Sequence, residues 1–181
     1  MDKPLITVII PCYNAELYLI QAIDSICSQS YQNLEILAIN DGSKDRTLEL
    51  LNNYAAKDKR IVVVNNDFNI GLIKTLNKGI DLASGLFIAR MDADDTCSFD
   101  RISILYEYLI KHPDVDIVSS GNTLMDHQEQ FLKKMVPKAL DNLALKFVSF
   151  FSTPIVHAGL LAKTSAATPC CAGSGALSFS I

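Results

Sequence analysis

No stretch of this 181-residue chain approaches the ~20 continuous apolar residues that a membrane span needs. No signal peptide is visible at the start, where Met1-Asp2-Lys3-Pro4 runs straight into a short strand-like segment. Lysines and arginines are scattered, with no polybasic block, and the formal net charge is −4. That balance gives no electrostatic footprint for nucleic acid. The five cysteines (Cys12, Cys27, Cys97, Cys170 and Cys171) have neither metal-ligand nor paired-disulfide spacing. A reduced cytoplasmic protein is the expectation. Glycine is missing where a dinucleotide-binding turn would need it: the first strand-like run is followed by Pro11-Cys12-Tyr13-Asn14-Ala15-Glu16. A Gly-x-x-x-x-Gly-Lys-Ser/Thr phosphate loop is absent as well. Both absences argue against a Rossmann oxidoreductase and a P-loop enzyme. Phosphate bound by this chain would need a metal, rather than a glycine nest, to carry much of its charge.

What is present is a regular alternation. Residues 5–10 form a β-branched run closed by Pro11 and read as a buried strand. Asn14 is placed to cap a helix reaching about Gln29, with Leu17, Ile20, Ile23 and Ile26 at helical spacing. A second strand spans 34–39 and ends at Asn40-Asp41-Gly42-Ser43, a turn signal. Asp45 or Ser43 then caps a helix to about Lys57, with Leu48, Leu51 and Tyr54 inward. A strand at 61–64, a polar turn at 65–71 and a helix to Ala83 follow. The run Leu86-Phe87-Ile88-Ala89 reads as a fourth strand, residues 98–111 as a helix and 115–119 as a fifth strand. Such alternation predicts a single α/β domain with a mostly parallel, Rossmann-like sheet flanked by helices.

Ligands of such sheets bind beyond the carboxyl ends of the strands. The segments 11–14, 40–43, 65–71 and 92–95 all follow strands, so they are expected on one rim. One of them is Met91-Asp92-Ala93-Asp94-Asp95, with three carboxylates in four positions. Clustered like charges repel unless a cation neutralises them. Oxygen donors of this kind suit Mg2+ or Mn2+, with substrate phosphates completing the shell. The other reading is a solvated turn capping the following helix. Asp41 admits two readings, acceptor for a nucleobase N–H or ordinary Asp-Gly turn. Tyr13 could stack on a base or belong to the core. Asn69 and Gly71 could shape a ligand loop or cap a helix, and Lys74 and Arg90 could meet phosphate or stay solvated.

The strings Ile9-Ile10-Pro11-Cys12-Tyr13-Asn14-Ala15-Glu16, Ile39-Asn40-Asp41-Gly42-Ser43-Lys44-Asp45, Asn69-Ile70-Gly71 and Ala89-Arg90-Met91-Asp92-Ala93-Asp94-Asp95 together point further. In order and at this spacing they closely resemble family 2 glycosyltransferases of the GT-A fold, over about residues 4–157. The resemblance implies an inverting transferase that moves a sugar from a nucleotide-diphosphate donor, a UDP-sugar first of all, to a hydroxyl acceptor. It places Pro11, Tyr13, Asn14, Asp41 and Asn69 in the donor-binding pocket. Asp92 faces the ribose or donor sugar. Asp94, in the Asp-x-Asp motif, holds the Mn2+ or Mg2+ that bridges the phosphates, and Asp95 orients its neighbours. The segment Thr153-Pro154-Ile155-Val156-His157 resembles a stretch bordering the acceptor side, with His157 as its candidate. Surface polysaccharide or lipopolysaccharide assembly is the implied pathway. A saccharide or lipid-linked acceptor and peripheral association with the inner membrane face go with it.

The chain departs from that pattern at its end. Such a transferase needs a carboxylate base, and the last acidic residue is Asp141, with no Asp or Glu in 142–181. Asp95, Asp126 or Glu129 are substitutes from elsewhere. The expected organisation is therefore a GT-A domain at 1–162, with its donor-binding part at 4–126, then a low-complexity, disordered tail at 163–181. On this reading the chain is shortened at its C-terminus and lacks an evident catalytic base. A catalytically inactive nucleotide-sugar-binding or protein-interaction module on the same fold is the alternative.

Overall fold

The computed structural model describes residues 3–125, 131–135 and 157–166. The expected alternation is there: β1 (Ile6–Cys12), α1 (Leu19–Cys27), β2 (Leu34–Asp41), α2 (Thr47–Ala55), β3 (Ile61–Asn66), α3 (Leu72–Leu82), β4 (Phe87–Arg90), α4 (Arg101–Lys111) and β5 (Ile117–Ser119). Three strands follow, β6 (Asn122–Met125), β7 (Phe131–Met135) and β8 (Leu160–Lys163). The main sheet has the order β3-β2-β1-β4-β8-β5, and β6 pairs with β7 in a small sheet of its own. Strands β1 to β4 are mutually parallel. β8 is inserted antiparallel to both β4 and β5. The mostly parallel α/β sheet is thus present, with one reversed strand among the described residues.

Parallel strands covered by helices on both faces read as continuous apolar runs. Ile6, Val8 and Ile10 of β1 and Ile36 and Ala38 of β2 pack with Leu19, Ile23 and Ile26 of α1, Leu51 of α2, and Ile102 and Leu105 of α4. On the opposite face Ile9, Ile39 and Ile88 pack under Leu76 of α3. There α3 lies close because Gly79 has no side chain: a Cβ would stand 2.6 Å from Ile9 Cγ2.

Three expectations need correction. Pro11 does not close β1, which continues to Cys12. Ile9 O accepts from Met91 N, so residues 9 and 11 face the β4 side, and β4 pairs with β1 only as far as Ile9. The missing N–H of Pro11 therefore interrupts no ladder. Asn14 caps nothing, because α1 starts at Leu19. Leu17 is 79% exposed and Ile20 is also exposed, while Leu19, Ala22, Ile23 and Ile26 form the buried face. Successive three-residue steps fall back about 60° each on a helix, so a 17-20-23-26 series cannot share one face.

The boundary expected at 162/163 falls inside structure. Lys163 ends β8 and its Nζ donates to Pro113 O and Asp116 Oδ1 at 2.7 and 2.8 Å. Thr164–Ala166 form a 3-10 turn with Ala166 buried. The rest of that tail, 167–181, lies outside the described residues, as do Asp126, Glu129, Asp141 and 153–156. Among the described residues no helix is long and apolar enough to cross a membrane.

Candidate functional site

Because β1 to β4 are parallel, the loops that follow them share one edge of the sheet. The first two loops are fastened to each other. Asn14 N donates to Ser43 Oγ at 3.0 Å, and Lys44 N returns a bond to Asn14 Oδ1 at 2.8 Å. Ala15 N reaches Thr47 Oγ1 at 2.8 Å, Glu16 N reaches Asp45 Oδ2 at 3.1 Å, and Arg46 N reaches Glu16 Oε2 at 2.9 Å. Asn14 sits at φ 51, a left-handed conformation that Asn tolerates better than most residues. Its side chain ties loops together and does not stand free at the rim. Asp45 Oδ1 also accepts from Thr47 N at 3.0 Å, but the cap position of α2 is Arg46 and no side chain caps it, so neither Asp45 nor Ser43 is the cap expected there.

Asp41, at the end of β2, is only 3% exposed. Its Oδ1 accepts from Asn66 Nδ2 and Ile70 N, both at 2.9 Å, and Oδ2 accepts from Gly71 N at 3.0 Å. Lys78 Nζ in turn donates to Asn66 Oδ1 at 2.7 Å. Burial pushes the Asp41 carboxyl up, but hydrogen bonds from Ile70, Asn66, Thr75 and Gly71 outweigh it and leave the group below its ordinary value. Asp41 therefore acts first as the template on which the loop after β3 is laid. Its depressed value has a defined pH consequence. The stabilisation is complete above the unfolded Asp value of about 3.9 and is lost as pH falls through the folded one. Amide exchange measured on acidification should show Ile70 and Gly71 losing protection while the β1 amides keep theirs.

Gly42 completes that arrangement. It has φ +67, and a Cβ there would lie 2.4 Å from the Phe68 carbonyl carbon and 2.5 Å from Asn69 N. The loop backbone thus rests directly on Gly42. Phe68 is left 68% exposed at the rim, and Tyr13 is 51% exposed. The ring of Tyr13 is accordingly a surface aromatic and not a core one. Phe68 escaped the sequence reading, although an aromatic inside the polar stretch 65–71 was the available signal. Asn69 and Lys74 are exposed as well.

The acid loop leaves β4 with Met91 and Ala93 buried, and their burial turns Asp92, Asp94 and Asp95 outward. Asp92 Oδ1 accepts from Arg90 Nε at 3.1 Å and Nη2 at 2.8 Å. Arg90, considered above for phosphate, is thus engaged in orienting Asp92. Asp94 and Asp95 are exposed. The Asp95 carboxyl is pushed up by desolvation and then by the charges of Asp92 and Asp94, against the pull of Arg101 and Arg90. The helix-capping reading does not hold, because α4 begins only at Arg101 and its cap position is Asp100.

Among the described residues no three His, Cys, Asp or Glu side chains form a ready-made metal cage. Asp94, exposed beside the Arg90-held Asp92, could offer one carboxylate to a Mg2+- or Mn2+-type cation, which commonly keeps one or two carboxylates and takes its other ligands from phosphates and water. β8 runs opposite to β4, so its start lies beside the end of β4. The backbone of His157, in the 3-10 turn His157–Gly159, is thereby brought to the same edge.

A family model described as Glycosyl transferase family 2 matches residues 7–172. An uncharacterized glycosyltransferase of Haemophilus influenzae is 44% identical over 117 residues, 65% of this chain and 36% of its own length. One from Methanocaldococcus jannaschii is 30% identical over 166 residues, 91% of this chain and 57% of its own. The chain spans between about a third and just over half of the length of such relatives. Among solved structures, S. aureus TarS 1-349 matches with a TM-score of 0.69 at 21% identity, over 88% of this chain and 47% of that one. A Pyrobaculum calidifontis mannosyltransferase in complex with GDP-Man and Mn2+ matches at 0.61 and 24% identity, over 71% and 37%. At these identities the likeness to solved structures is one of fold.

Proposed function

Because the chain belongs to glycosyl transferase family 2, we propose that its rim binds a nucleotide-diphosphate sugar through one divalent cation and serves inverting transfer to a hydroxyl acceptor. The observation that carries this reading is the convergence of exposed Tyr13, Asn69 and Asp94 with the oriented Asp92 on one strand-end edge. Pro11, Tyr13 and Asn69 border the nucleoside, and Asp41 shapes their loop. Asp92, steadied by Arg90, faces the ribose or sugar. Asp94 holds Mn2+ or Mg2+ against the diphosphate. When bound, the cation stabilises the charge that develops on the departing nucleoside diphosphate. Solved neighbours of the same fold carry UDP, UDP-GlcNAc, or GDP-Man with Mn2+. A UDP-sugar is the donor we put first. A saccharide or lipid-linked acceptor in surface polysaccharide or lipopolysaccharide assembly fits the family, with His157 on that side. The setting this implies is the cytoplasm, at the inner face of the membrane.

The test is a thermal-shift panel of nucleoside diphosphates with and without Mn2+. A shift that requires both nucleotide and cation is expected, and no shift with any nucleotide would overturn the reading. Replacing Arg90 by leucine should weaken UDP binding about tenfold, the low end for a residue that orients a site ligand. The cation should still be required, and calorimetry with saturating Mn2+ and with none checks both. A second reading of the same rim is donor binding without transfer. Multiple-turnover transfer by the 181-residue chain would sink it.

A further inference from the structure

Arg101, the first residue of α4, is 7% exposed. Its Nη1 donates to Ala158 O at 2.7 Å and, at the limit of hydrogen bonding, to Arg90 O at 3.5 Å. Its Nε and Nη2 are buried with no acceptor. A guanidinium is a rigid fork that keeps its charge in proteins, so unpaired donors away from water are costly. Two groups act on it, the Cys97 thiol, by charge and as a side-chain hydrogen-bond partner, and the Asp95 carboxylate, by charge alone. The thiol is a weak acceptor and already takes Gln29 Nε2 at 3.4 Å. Asp95 is the stronger match in charge and shape, since a carboxylate accepts two parallel bonds from an arginine fork. Yet Asp95 is exposed, and it forms no ion pair among the described residues.

We propose that Arg101 is a positioning residue whose open fork receives Asp95 when a cation and a nucleotide diphosphate occupy the rim. The inference rests on the donor reading above. Without a cation, the charges of Asp92 and Asp94 act against an ionised Asp95. A cation held by Asp94 offsets that repulsion, and Asp95 turns onto Nε and Nη2. The movement draws the acid loop inward around the cation. Because Nη1 stays on Ala158 O, the same side chain then links the acid loop to the turn that starts at His157. Arg101 thus couples the donor edge to the neighbouring edge of the site.

A double-mutant cycle separates this from a purely structural role. Arg101→Gln, Asp95→Asn and the double variant are compared by calorimetric Kd for UDP with Mn2+ and by Tm of the free chain. Each single change is expected to weaken UDP binding about tenfold, with the double variant no worse than either. In the free chain the effect of Asp95→Asn on Tm should not depend on residue 101. Additive losses, about a hundredfold in the double variant, would overturn the proposal. If Arg101→Gln does not fold, the wild-type Arg101 Nε–H is followed by NMR with Mg2+ and UDP. Slowed exchange on ligand addition, lost in Asp95→Asn, is expected, and unchanged exchange would overturn the proposal. A wild-type chain that binds no nucleotide with either cation would remove the donor reading together with this one. Binding with an additive cycle would remove this one alone.

Discussion

Changing Asp94 to alanine should abolish the cation-dependent part of nucleotide binding and leave the fold intact. The carboxylate is exposed at the end of the acid loop, so its removal should alter stability by no more than about 0.5 kcal/mol. Relief of the repulsion that acts on Asp95 would favour a small gain. Affinity should respond very differently. Asp92 has one oxygen occupied by two donors from Arg90, which leaves Asp94 as the carboxylate best able to turn toward a cation. Loss of a direct ligand should exceed the ~10–100-fold effect of a supporting residue, so a loss of about 100-fold or more in UDP affinity with Mn2+ is expected. Calorimetry over a range of Mn2+ concentrations measures it. Unchanged affinity in the variant would remove Asp94 from the metal site.

Gly42→Ala should be the most damaging small substitution at the rim. Two separate penalties coincide there. The residue has φ +67, where an L side chain costs about 1–2 kcal/mol. Its Cβ would also overlap backbone atoms of Phe68 and Asn69 at 2.4 and 2.5 Å, and backbone, unlike a side-chain tip, moves only with the whole loop. Overpacking of this kind adds about 1–3 kcal/mol. Together about 2–4 kcal/mol of stability is expected to be lost, and nucleotide affinity should fall too, because the displaced loop is the one Asp41 shapes. Gly71→Ala, at φ +89 and ψ 153 with nothing within 4 Å of a Cβ, meets a backbone penalty of a different kind and no contact. Denaturant unfolding of Gly42→Ala decides the point. A loss no larger than the backbone cost of about 1–2 kcal/mol would mean that the contact with Phe68 and Asn69 is unimportant.

Much of this was readable before any coordinates. Ile6 to Ile10 and Ile36 to Ile39 are buried on both faces, and such strands announce themselves as near-continuous apolar runs. Once four strands are parallel, their loops must share an edge, so the gathering of Tyr13, Asp41, Asn69 and Asp94 followed from topology. What stayed hidden depends on partners distant in sequence. β8 is four residues long and is defined by pairing with Ala89 and Val118. In β6 and β7, Leu124, Met125, Phe131 and Leu132 are all exposed, so no alternation of inside and outside marks them. Arg101 reads as an ordinary charged residue at a helix start, and only its burial reveals the open fork. The roles of Asn14 and Arg90 were hidden for a related reason. Each side chain has an obvious ligand-binding use, and each is occupied by a neighbour.

The reversed strand has a consequence for how the molecule forms. β1 pairs with β2 and β2 with β3 across about 28 and 25 positions, whereas β4 pairs with β1 across about 81 and β8 with β4 across about 72. The last two pairings therefore close much longer loops than the first two. β5 cannot find its place before β8, which stands between it and β4. Until residues 160–163 dock, the outer side of β4 is an unpaired edge, and such an edge is a template for pairing with another chain.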